Sequence, residues 1–406
     1  MNIYIFEDLD AINLSPISYT RPAFEIHCGL FTCLERIKFF FPEAELSFFV
    51  RNELIDVVKN KYPSNSVNPS LVNEGVWLLG NVLWSKDDLD FVIYHRFETY
   101  VNGEKIIGIK LKKEEGQKWV DNGGPLKKKL KYSSKINNEL SSPVINYLWD
   151  AVNNNPNQIA LDSKFVTIAK DFRPSSIITL IEAKKIFIDN NSLISPYTFF
   201  DASKGEIIVE KNVKISPFCY LEGPLFIGKG STIRPNTQIR GGTSIGPFSK
   251  IGGEISQSIF QGNTNKIHYG YIGNSYIGEW VNIGAGTTCS NLKNNYSSIK
   301  VQVNGSLIDT KKNKIGCYIG DYTKIAIGTY LNTGTVIGAV CNIAPKGIPI
   351  PKYLQPFTWF ANNEKIKYEW EKFVKTLEIY KKGKGLSITD VELSMLKEKY
   401  DTIITT

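Results

Sequence analysis

The residues best suited to chemistry lie in the stretch NKIHYGYIGNSYIGEWVNIGAGT, residues 265–287. His268 is one of only three histidines in the chain, and its neighbours include the polar residues Lys266, Tyr269 and Tyr271. Acetylation of an amine needs a base for the attacking ammonium group, and a neutral imidazole suits that task at about pH 7. Such a base also needs a partner that fixes its tautomer. A lone histidine can equally have a structural role, so these residues alone leave both interpretations open.

Large aliphatic residues recur with a period of six on both sides of this stretch. The first run is Ile215, Leu221, Ile227, Ile233, Ile239, Ile245 and Ile251, and the second is Ile319, Ile325, Leu331, Ile337 and Ile343. An α-helix repeats every ~3.6 residues and a strand every ~2, so neither explains this period. A triangular β-helix does, because each hexapeptide forms one flat side and turns one aliphatic residue inward. The pattern predicts an all-β parallel β-helix over residues 176–350.

Two further features are predicted after the first run. Residues 291–315 leave the period and contain two β-rich stretches, which predict a hairpin that projects from the β-helix. Long loops on a rigid scaffold commonly carry binding function or subunit contacts.

Residues 364–380 and 389–400 have the apolar spacing of amphipathic helices. These helices are expected to form a C-terminal cap, residues 351–406.

Residues 1–175 alternate apolar runs with segments of helical spacing. The run at 76–84 suits a buried strand, residues 30–41 suit a helix, and residues 91–94 suit a further strand. The stretch NNNPNQ, residues 153–158, is typical of a loop. Alternating strands and helices favour a central, mostly parallel sheet. This domain is therefore expected to have an α/β fold.

Length and composition limit the class of protein. A chain of 406 residues suggests two or three domains, and 42% hydrophobic with 22% charged residues is typical of a soluble globular protein. The net charge of +8 reflects either a solvated, lysine-rich surface or a preference for anionic ligands such as nucleotides, sugar phosphates and CoA. No compact basic stripe with interleaved aromatic residues is present in the sequence, so nucleic acid is not an expected partner.

The cysteines and the N-terminus indicate the compartment. None of the six cysteines forms a CxxC pair, so neither a zinc site nor a disulfide framework is indicated. The opening residues MNIYIFEDLD lack the basic segment of a signal peptide, and no apolar run approaches about 18 residues. We therefore expect a cytoplasmic protein without a membrane span.

The stretch from His268 to Thr287 resembles the acetyltransferase half of the bifunctional N-acetylglucosamine-1-phosphate uridylyltransferase/glucosamine-1-phosphate acetyltransferase family (GlmU). It matches without a gap the family pattern H-x-x-Y-x-G-x-x-x-I-G-x-x-x-N-I-G-A-G-T, which includes polar positions that a β-helix does not require. Weaker similarity extends over residues 215–345. The resemblance implies a left-handed β-helix and acetyl-CoA as cosubstrate. It also implies a homotrimer, because in this family the acyl-CoA groove lies between the solenoids of neighbouring subunits.

Most of the chain more closely resembles a divergent branch of this family from Bacteroidetes-type bacteria. The shared stretches are TRPAFEIHCG (20–29), NYLWDAVNNNPNQI (146–159), IGGE (251–254), NSYIGEW (274–280) and SNLKNNY (290–296). Members of this branch join a sugar-phosphate nucleotidyltransferase domain to an acetyltransferase-like β-helix. The resemblance therefore implies a sugar phosphate, an acyl-CoA and a nucleoside triphosphate as small-molecule partners.

Carried over to this chain, the resemblance implies a role for each matching residue. The general base is His268, with Glu254 beside it; the phosphate clamp is Arg240 or, with less support, Arg234; Tyr271 and Asn282 contact the sugar phosphate; and Asn291 contacts acetyl-CoA. A guanidinium suits the clamp because it binds phosphate through two parallel hydrogen bonds.

Three departures from the family pattern leave the substrates open. Ser256 occupies the position of a substrate-binding lysine, Leu292 replaces the tyrosine that follows Asn291 in the family, and the next loop is longer. The acceptor and the acyl donor therefore need not be the usual ones of the family.

The nucleotidyltransferase half of the family opens with a loop of the form L-x-x-G-x-G-T-R, whose amides cradle phosphates. Here the first strand leads into Asp8, and no glycine occurs before Gly29. Arg21 is a candidate for binding a triphosphate. Asn81 stands where the family has an aspartate that holds Mg²⁺, although an amide is a weaker ligand for this ion. Asp8, Arg21 and Asn81 are thus the nucleotide-binding candidates, with Mg²⁺ as a candidate cofactor.

Three hypotheses for the function follow. In the first, the β-helix acetylates an amino-sugar 1-phosphate, and the α/β domain joins the sugar phosphate to a nucleotide and releases pyrophosphate. In the second, the chain is a nucleotidyltransferase only, and the β-helix assembles the subunits. In the third, the chain is a non-catalytic regulatory or scaffold subunit. Acetyl transfer separates the first from the second, and binding of CoA or nucleotides separates both from the third.

Overall fold

The computed structural model describes the following parts of the chain: residues 1–95, 99–127, 137–168, 177–346 and 349–403. It contains an α/β domain, a solenoid of three parallel sheets and two C-terminal helices, which confirms the fold class predicted from the sequence. The predicted domain boundary between residues 175 and 176 lies outside the described residues. The division of the chain into three domains stays a prediction. No helix within the described ranges is long and apolar enough to cross a membrane.

A seven-stranded, mostly parallel sheet forms the centre of the N-terminal domain. The elements of this domain are β1 Asn2–Phe6, β2 His27–Cys28, β3 Phe31–Thr32, α1 Cys33–Phe40, β4 Glu45–Phe49, α2 Ile55–Lys61, β5 Ser66–Val67, β6 Gly75–Leu79, α3 Lys86–Tyr94, β7 Thr99–Asn102, β8 Lys105–Leu111, α4 Lys113–Asp121, β9 Asn137–Glu139 and α5 Leu148–Asp162. β1 pairs in parallel with both β4 and β6. The carboxyl ends of these three strands therefore meet at one edge of the sheet.

Residues 91–94 form the end of helix α3, so the strand predicted there was wrong. The Ser85 side chain caps this helix by accepting a hydrogen bond from the N–H of Asp88, and Leu89 and Val92 are buried on its inner face. The apolar run that suggested a strand is the core-facing side of a helix whose cap lies several residues earlier.

Residues 153–158 lie inside helix α5, so the loop predicted there was also wrong. The helix continues through Pro156. The buried side chain of Asn155 accepts a hydrogen bond from the N–H of Gly29 at 2.7 Å and donates one to the carbonyl of Gly242 at 2.8 Å. These contacts reach outside the helix, so tertiary structure overrides the local preference of an asparagine-rich segment.

The solenoid has three faces, which we number in the order in which each coil visits them. Face one comprises β10 Thr179–Ile181, β13 Phe199–Asp201, β16 Tyr220–Glu222, β19 Gln238–Ile239, β22 Glu254–Ser256 and β25 Tyr271–Gly273, followed by β28 Thr288–Cys289 and β33 Tyr330–Leu331. Face two comprises β11 Ile186–Ile188, β14 Ile207–Val209, β17 Leu225–Ile227, β20 Thr243–Ile245, β23 Ile259–Phe260, β26 Tyr276–Ile277, β31 Cys317–Ile319, β34 Thr335–Ile337 and β36 Tyr353–Leu354. Face three comprises β12 Leu193–Ile194, β15 Lys214–Ile215, β18 Thr232–Ile233, β21 Lys250–Ile251, β24 Asn265–Lys266, β27 Asn282–Ile283, β32 Lys324–Ile325, β35 Asn342–Ala344, β37 Thr358–Ala361 and β38 Glu364–Lys367.

Each coil turns its aliphatic residues inward, in register with those of the next coil. Ile233 pairs with Ile251, and Ile325 pairs with Ile343. Every member of the two runs found in the sequence is buried. The predicted period of six is therefore confirmed, and removal of this column from water is the main driving force for stacking the coils.

Face two is apolar on its outer side as well, and the N-terminal domain covers it. Its outward residues include Ile208, Phe226, Ile259, Tyr276, Tyr318 and Val336, all of them buried. They pack with residues of the N-terminal domain such as Leu30, Trp149 and Ile159. A sheet covered on both sides needs apolar residues at consecutive positions, and face two has them.

The predicted hairpin is present and joins the two domains. Its strands are β29 Lys300–Val303 and β30 Ser306–Asp309, which pair antiparallel. Val301 belongs to the same buried cluster as Leu14 of the N-terminal domain, and the Asn304 side-chain amide donates a hydrogen bond to Asn13 at 2.9 Å. The insertion therefore clasps the α/β domain against the solenoid.

The solenoid sheets continue past residue 350 through β36 and β37. β38 pairs antiparallel with β37, so the helix predicted at 364–380 begins later, as α6 Trp370–Lys382. The last helix is α7 Asp390–Thr402. Both helices pack on a corner between faces two and three, which presents Trp280, Tyr322, Val340 and Phe357.

A buried ion pair crosses the interface between the α/β domain and the solenoid. The Arg21 guanidinium contacts the carboxylate of Asp321 at 2.5 Å and that of Glu279 at 3.0 Å. The Thr20 hydroxyl donates a further hydrogen bond to Asp321 at 2.5 Å. Burial raises the pKa of the Asp321 carboxyl, and the positive charge of Arg21 opposes that rise. The buried carboxylate of Asp321 and the partly buried carboxylate of Glu279 thus share one cation from the other domain.

Replacing Arg21 by Met should lower the free energy of unfolding by about 3–5 kcal/mol, because Asp321 would stay buried beside the partly buried Glu279 without a cation. Urea denaturation of the full chain measures this change. The matched control is Lys397→Met, which removes an exposed ion pair with Asp401 and should cost less than about 1 kcal/mol. Equal effects of the two substitutions would contradict the importance of the interdomain pair.

Candidate functional site

His268 lies between β24 and β25, at the turn from face three to face one. We call this edge of the solenoid, formed by residues 267–270 and the equivalent turns of the other coils, the His268 corner. The His268 side chain is exposed, and its imidazole has no hydrogen bond or ion pair in the part of the chain that the structure describes. The partner that a general base requires is therefore not supplied by these residues.

Face one presents three predicted site residues on one surface. Glu254 on β22 is in register with Tyr271 on β25. Arg240 directly follows β19, and its N–H donates to the carbonyl of Ile255 on β22 at 2.8 Å. Neighbouring strands lie about 4.8 Å apart. Arg240, Glu254 and Tyr271 therefore lie on successive strands of the same face.

Arg240 has local partners on this face. Its guanidinium lies 3.7 Å from the Glu222 carboxylate and 5.2 Å from the centre of the Tyr220 ring, with 43% of the side chain exposed. Glu222 also pairs with Lys204 at 3.0 Å. The second arginine considered, Arg234, is exposed at the His268 corner, above Gly252. The phosphate-binding role of either arginine stays a prediction.

Asn291 and Tyr271 are in direct contact. The Asn291 side-chain amide donates to the Tyr271 hydroxyl at 2.9 Å and to the side-chain Oδ1 of Asn274 at 2.7 Å. Burial raises the pKa of the Tyr271 hydroxyl. Gly273 leaves room for this arrangement, because a Cβ atom there would lie 2.1 Å from the Tyr271 oxygen. The structure thus brings the predicted acetyl-CoA residue and a predicted sugar-phosphate residue together.

Asn282 lies apart from this group. It belongs to β27 on face three, where it pairs with Asn265 and Lys324. Tyr271 lies on face one, so one chain does not bring the two predicted sugar-phosphate residues onto a common surface. The two faces meet only at the His268 corner.

Lys266 is a candidate that the sequence analysis did not single out. It occupies the inward column of face three, in register with Ile251, and it is fully buried. Burial lowers the pKa of its amino group to about 8. The signal was present in the sequence, because an inward position of the solenoid that holds lysine breaks the aliphatic column.

A cleft lies at the carboxyl ends of the central strands of the α/β domain. Two adjoining cavities of about 530 and 500 Å³ share Asp8 and Pro125 in their walls. The Lys105 ammonium lies 3.0 Å from the Asp8 carboxylate and 3.3 Å from that of Asp10. Arg51 lines the second cavity. Open α/β sheets bind ligands at this edge.

The other two nucleotide-binding candidates lie outside this cleft. Arg21 is engaged in the interdomain ion pair. Asn81 is buried, its amide donates to the Ile145 carbonyl at 2.8 Å, and its side-chain oxygen has no partner among the described residues. Of the three candidates, only Asp8 lines the cleft, and the binding roles of all three stay predictions.

The donors of the cleft bear on the candidate Mg²⁺ site. Mg²⁺ is commonly held by one or two carboxylates together with substrate phosphates. Asp8 and Asp10 meet that requirement, whereas Asn81 does not line the cleft. Within the described residues no group of three or more metal-binding side chains occurs, so an all-protein cage is not indicated there.

Comparison with known proteins agrees with both halves of the molecule. Residues 3–171 match the family model described as sugar nucleotidyl transferase. A bifunctional sugar-1-phosphate nucleotidylyltransferase/acetyltransferase of Sulfurisphaera tokodaii is 29% identical over 277 residues, which cover 60% of this chain and 67% of that protein. The bifunctional protein GlmU of Wolbachia pipientis is 35% identical over 172 residues, or 39% of each chain. This chain therefore matches well under half the length of the second relative.

The solved structures that align with this chain are more distant. A UDP-N-acetylglucosamine acyltransferase of Francisella novicida has 14% identity and a TM-score of 0.32, over 56% of this chain and 78% of that one. A likeness at this level adds nothing to the fold described above. The likeness to known proteins therefore rests on the sequence relatives and the family model.

The free energy of unfolding should rise with pH above about 8, because the pKa of Lys266 falls from 10.5 in the unfolded chain to about 8 in the folded one. The cost of burying the protonated amine is complete below the folded pKa and is relieved as pH increases. Between about pH 7 and 9.5, Lys266→Met should reduce the rise by about 2 kcal/mol relative to the unmodified chain. Burial also lowers the pKa of Lys324 and Lys384, so only this difference isolates Lys266. An unchanged pH dependence in urea denaturation would contradict the assignment.

Proposed function

We propose that this chain acts in nucleotide-sugar biosynthesis, because residues 3–171 match a sugar nucleotidyl transferase family model and the chain is similar to bifunctional proteins of the GlmU type. The β-helix acetylates an amino-sugar 1-phosphate with acetyl-CoA. The α/β domain joins a sugar 1-phosphate to a nucleotide. The observation that supports this proposal most directly is the exposed His268 at a corner flanked by the two faces that hold the other motif residues.

Acetyl transfer needs a base and a place for the phosphate. The amine of the sugar attacks the thioester carbonyl of acetyl-CoA, the His268 imidazole accepts the proton lost by that amine, and the CoA thiolate leaves. We assign Glu254 to the vicinity of the base, because it lies on face one next to the His268 corner. Arg240 is the proposed phosphate clamp, and its half-exposed guanidinium is accessible to a ligand on the same face.

We propose that the active protein is a homotrimer. Face two is covered by the N-terminal domain, which leaves faces one and three for neighbouring subunits. A closed ring of three joined head to tail pairs face one of each subunit with face three of the next. In such a ring Tyr271 of one subunit opposes Asn282 of its neighbour, which explains their separation within one chain.

The surface of the His268 corner supports this arrangement. Tyr197 and Phe218 are each 60% exposed and stack at 5.2 Å, and Tyr269 is 73% exposed. Large apolar side chains that line one edge of a molecule commonly mark a contact with another chain. Burial of this edge at the ring's centre would also bring groups from other subunits towards His268.

For the α/β domain we propose nucleotidyl transfer in the cleft. A phosphate oxygen of the sugar 1-phosphate attacks the α-phosphorus of a nucleoside triphosphate, and pyrophosphate leaves. Asp8 and Asp10 are the groups that would hold Mg²⁺, which offsets the phosphate charge when bound. Lys105 and Arg51 line the same cleft and provide positive charge for the phosphates.

A second candidate function rests on the same domain. The usual glycine-rich loop is missing from the sequence, and two of the three predicted nucleotide-binding residues lie outside the cleft. A domain that binds a nucleotide without transferring it, and regulates or stabilises the β-helix, is consistent with those observations.

His268→Ala should lower kcat for acetylation of glucosamine 1-phosphate about a hundredfold or more, because the reaction loses its general base. Release of CoA measures the rate. His95→Ala, which removes an exposed histidine of the α/β domain, is the matched control and should leave the rate unchanged. Pyrophosphate release from each of the four nucleoside triphosphates should be equal in all three proteins. A wild-type chain inactive on amino-sugar phosphates would favour the β-helix as an assembly scaffold.

The shared site predicts complementation between two inactive variants. His268→Ala and Asn282→Ala subunits should each form trimers with little acetyl transfer. In a ring of three that contains both variants, about one interface in three should combine an intact His268 with an intact Asn282. Coexpression of differently tagged subunits and assay of the doubly purified complex tests this. Mixed trimers no more active than either parent would contradict a site built from two subunits.

A further inference from the structure

The coil that ends at His268 is shorter than its neighbours. Ile233 and Ile251, paired on successive coils of face three, are 18 residues apart, whereas Ile251 and its partner Lys266 are 15 apart. Two of the three missing residues fall between Ile251 and Ile255, which shortens the turn through Gly252 and Gly253 at the His268 corner. Gly253, in this turn, has a φ of +82°, and a Cβ there would lie 2.7 Å from the Gly270 carbonyl and 2.9 Å from that of His268.

Lys266 supplies one hydrogen bond to a carbonyl of this tight turn and one to a carbonyl of the next turn along the corner. Its side chain runs from the inward column of face three to the corner, where the amino group donates to the carbonyl of Gly252 at 3.0 Å and to that of His268. The two acceptors belong to successive coils. One side chain therefore links the turn that holds the candidate base to the turn before it.

An aliphatic residue at position 266 would fill the column but could not form these hydrogen bonds. The other inward positions of face three are apolar, with isoleucine at Ile233, Ile283 and Ile325 and phenylalanine at Phe360, so the solenoid itself does not require a polar group there. Among the described residues no carboxylate pairs with the Lys266 ammonium, and no charged side chain contributes to its lowered pKa. Burial of an ammonium group without a counter-charge is unfavourable, so the compensation must come from its hydrogen bonds to the two carbonyls.

We propose that Lys266 is a positioning residue. It acts through the His268 backbone and determines the position of the imidazole relative to face one. The expected effect on kcat rests on the proposed acetyl transfer. The placement of His268 can be measured whether or not the protein transfers acetyl groups. Lys266 does not touch the substrate in this proposal. It is buried beneath the turn, and its effect passes through the carbonyl that it holds.

The test compares Lys266→Met with Ile251→Met in the full-length protein. Both put an unbranched apolar side chain at registered positions of the same column, but only the first removes hydrogen bonds to the corner. Lys266→Met should lower kcat for glucosamine 1-phosphate at least about tenfold and change KM less than about twofold, because displacing a catalytic group by about 1 Å can cost up to a hundredfold. Lys266→Gln keeps donors on the side chain and should recover part of the loss.

A second readout is independent of catalysis. The rate at which diethyl pyrocarbonate modifies His268, followed by peptide mass spectrometry, should change at least about threefold in Lys266→Met. His95, exposed in the α/β domain, is the internal reference and should react at the same rate in all variants. If the unmodified chain transfers no acetyl group, the proposed function fails, while this readout still tests the positioning role.

Two results would overturn the proposal. One is a Lys266→Met protein that keeps both the kcat and the His268 reactivity of the unmodified chain. The other is an equal loss in both variants, which would indicate general disturbance of the column. If methionine at position 266 prevents folding, Lys266→Ile, which places there the residue found at Ile251 and Ile283, replaces it in the comparison with Ile251→Met.

Discussion

The column of inward aliphatic residues is the constraint on which the rest of the solenoid depends. Each side of a coil must bring one such residue to the axis, and burial of the stack from water holds successive coils in register. Once Ile233, Ile251 and their equivalents are stacked, the outward positions of each face form straight rows. That is why Glu254 and Tyr271, 17 residues apart in sequence, lie side by side on face one.

The three faces are not equivalent, and their differences organise the molecule. Face two is apolar on both sides and docks the N-terminal domain, with the β29–β30 hairpin closing over the junction. Faces one and three keep polar residues outward, and the predicted acetyltransferase residues lie on them or at the corner between them. The docking of one domain thus determines which surfaces remain for substrates and for other subunits. It also leaves the aromatic edge of the His268 corner uncovered within one chain.

The segment TRPAFEIHCG, residues 20–29, lies at the domain interface, although the sequence suggested that its Arg21 binds a triphosphate. Arg21 neutralises Asp321 and Glu279 across the interface, and the N–H of His27 donates to the Tyr276 hydroxyl on face two at 2.8 Å. Several polar groups of the segment are therefore used to join the domains. The cleft of the α/β domain instead takes its charges from residues after β1, β4 and β7, such as Asp8, Arg51 and Lys105.

The sequence by itself determined the solenoid and its column, because a period of six is a local regularity that each coil repeats, and it singled out His268 as a candidate base. It also indicated a mostly parallel α/β domain. Only the tertiary structure decided that Tyr271 and Asn282 lie on different faces, that Arg21 forms an interdomain ion pair, and that residues 153–158 are helical. Each of these depends on partners distant in sequence, such as Asp321 for Arg21, and spacing within a segment contains no information about such partners.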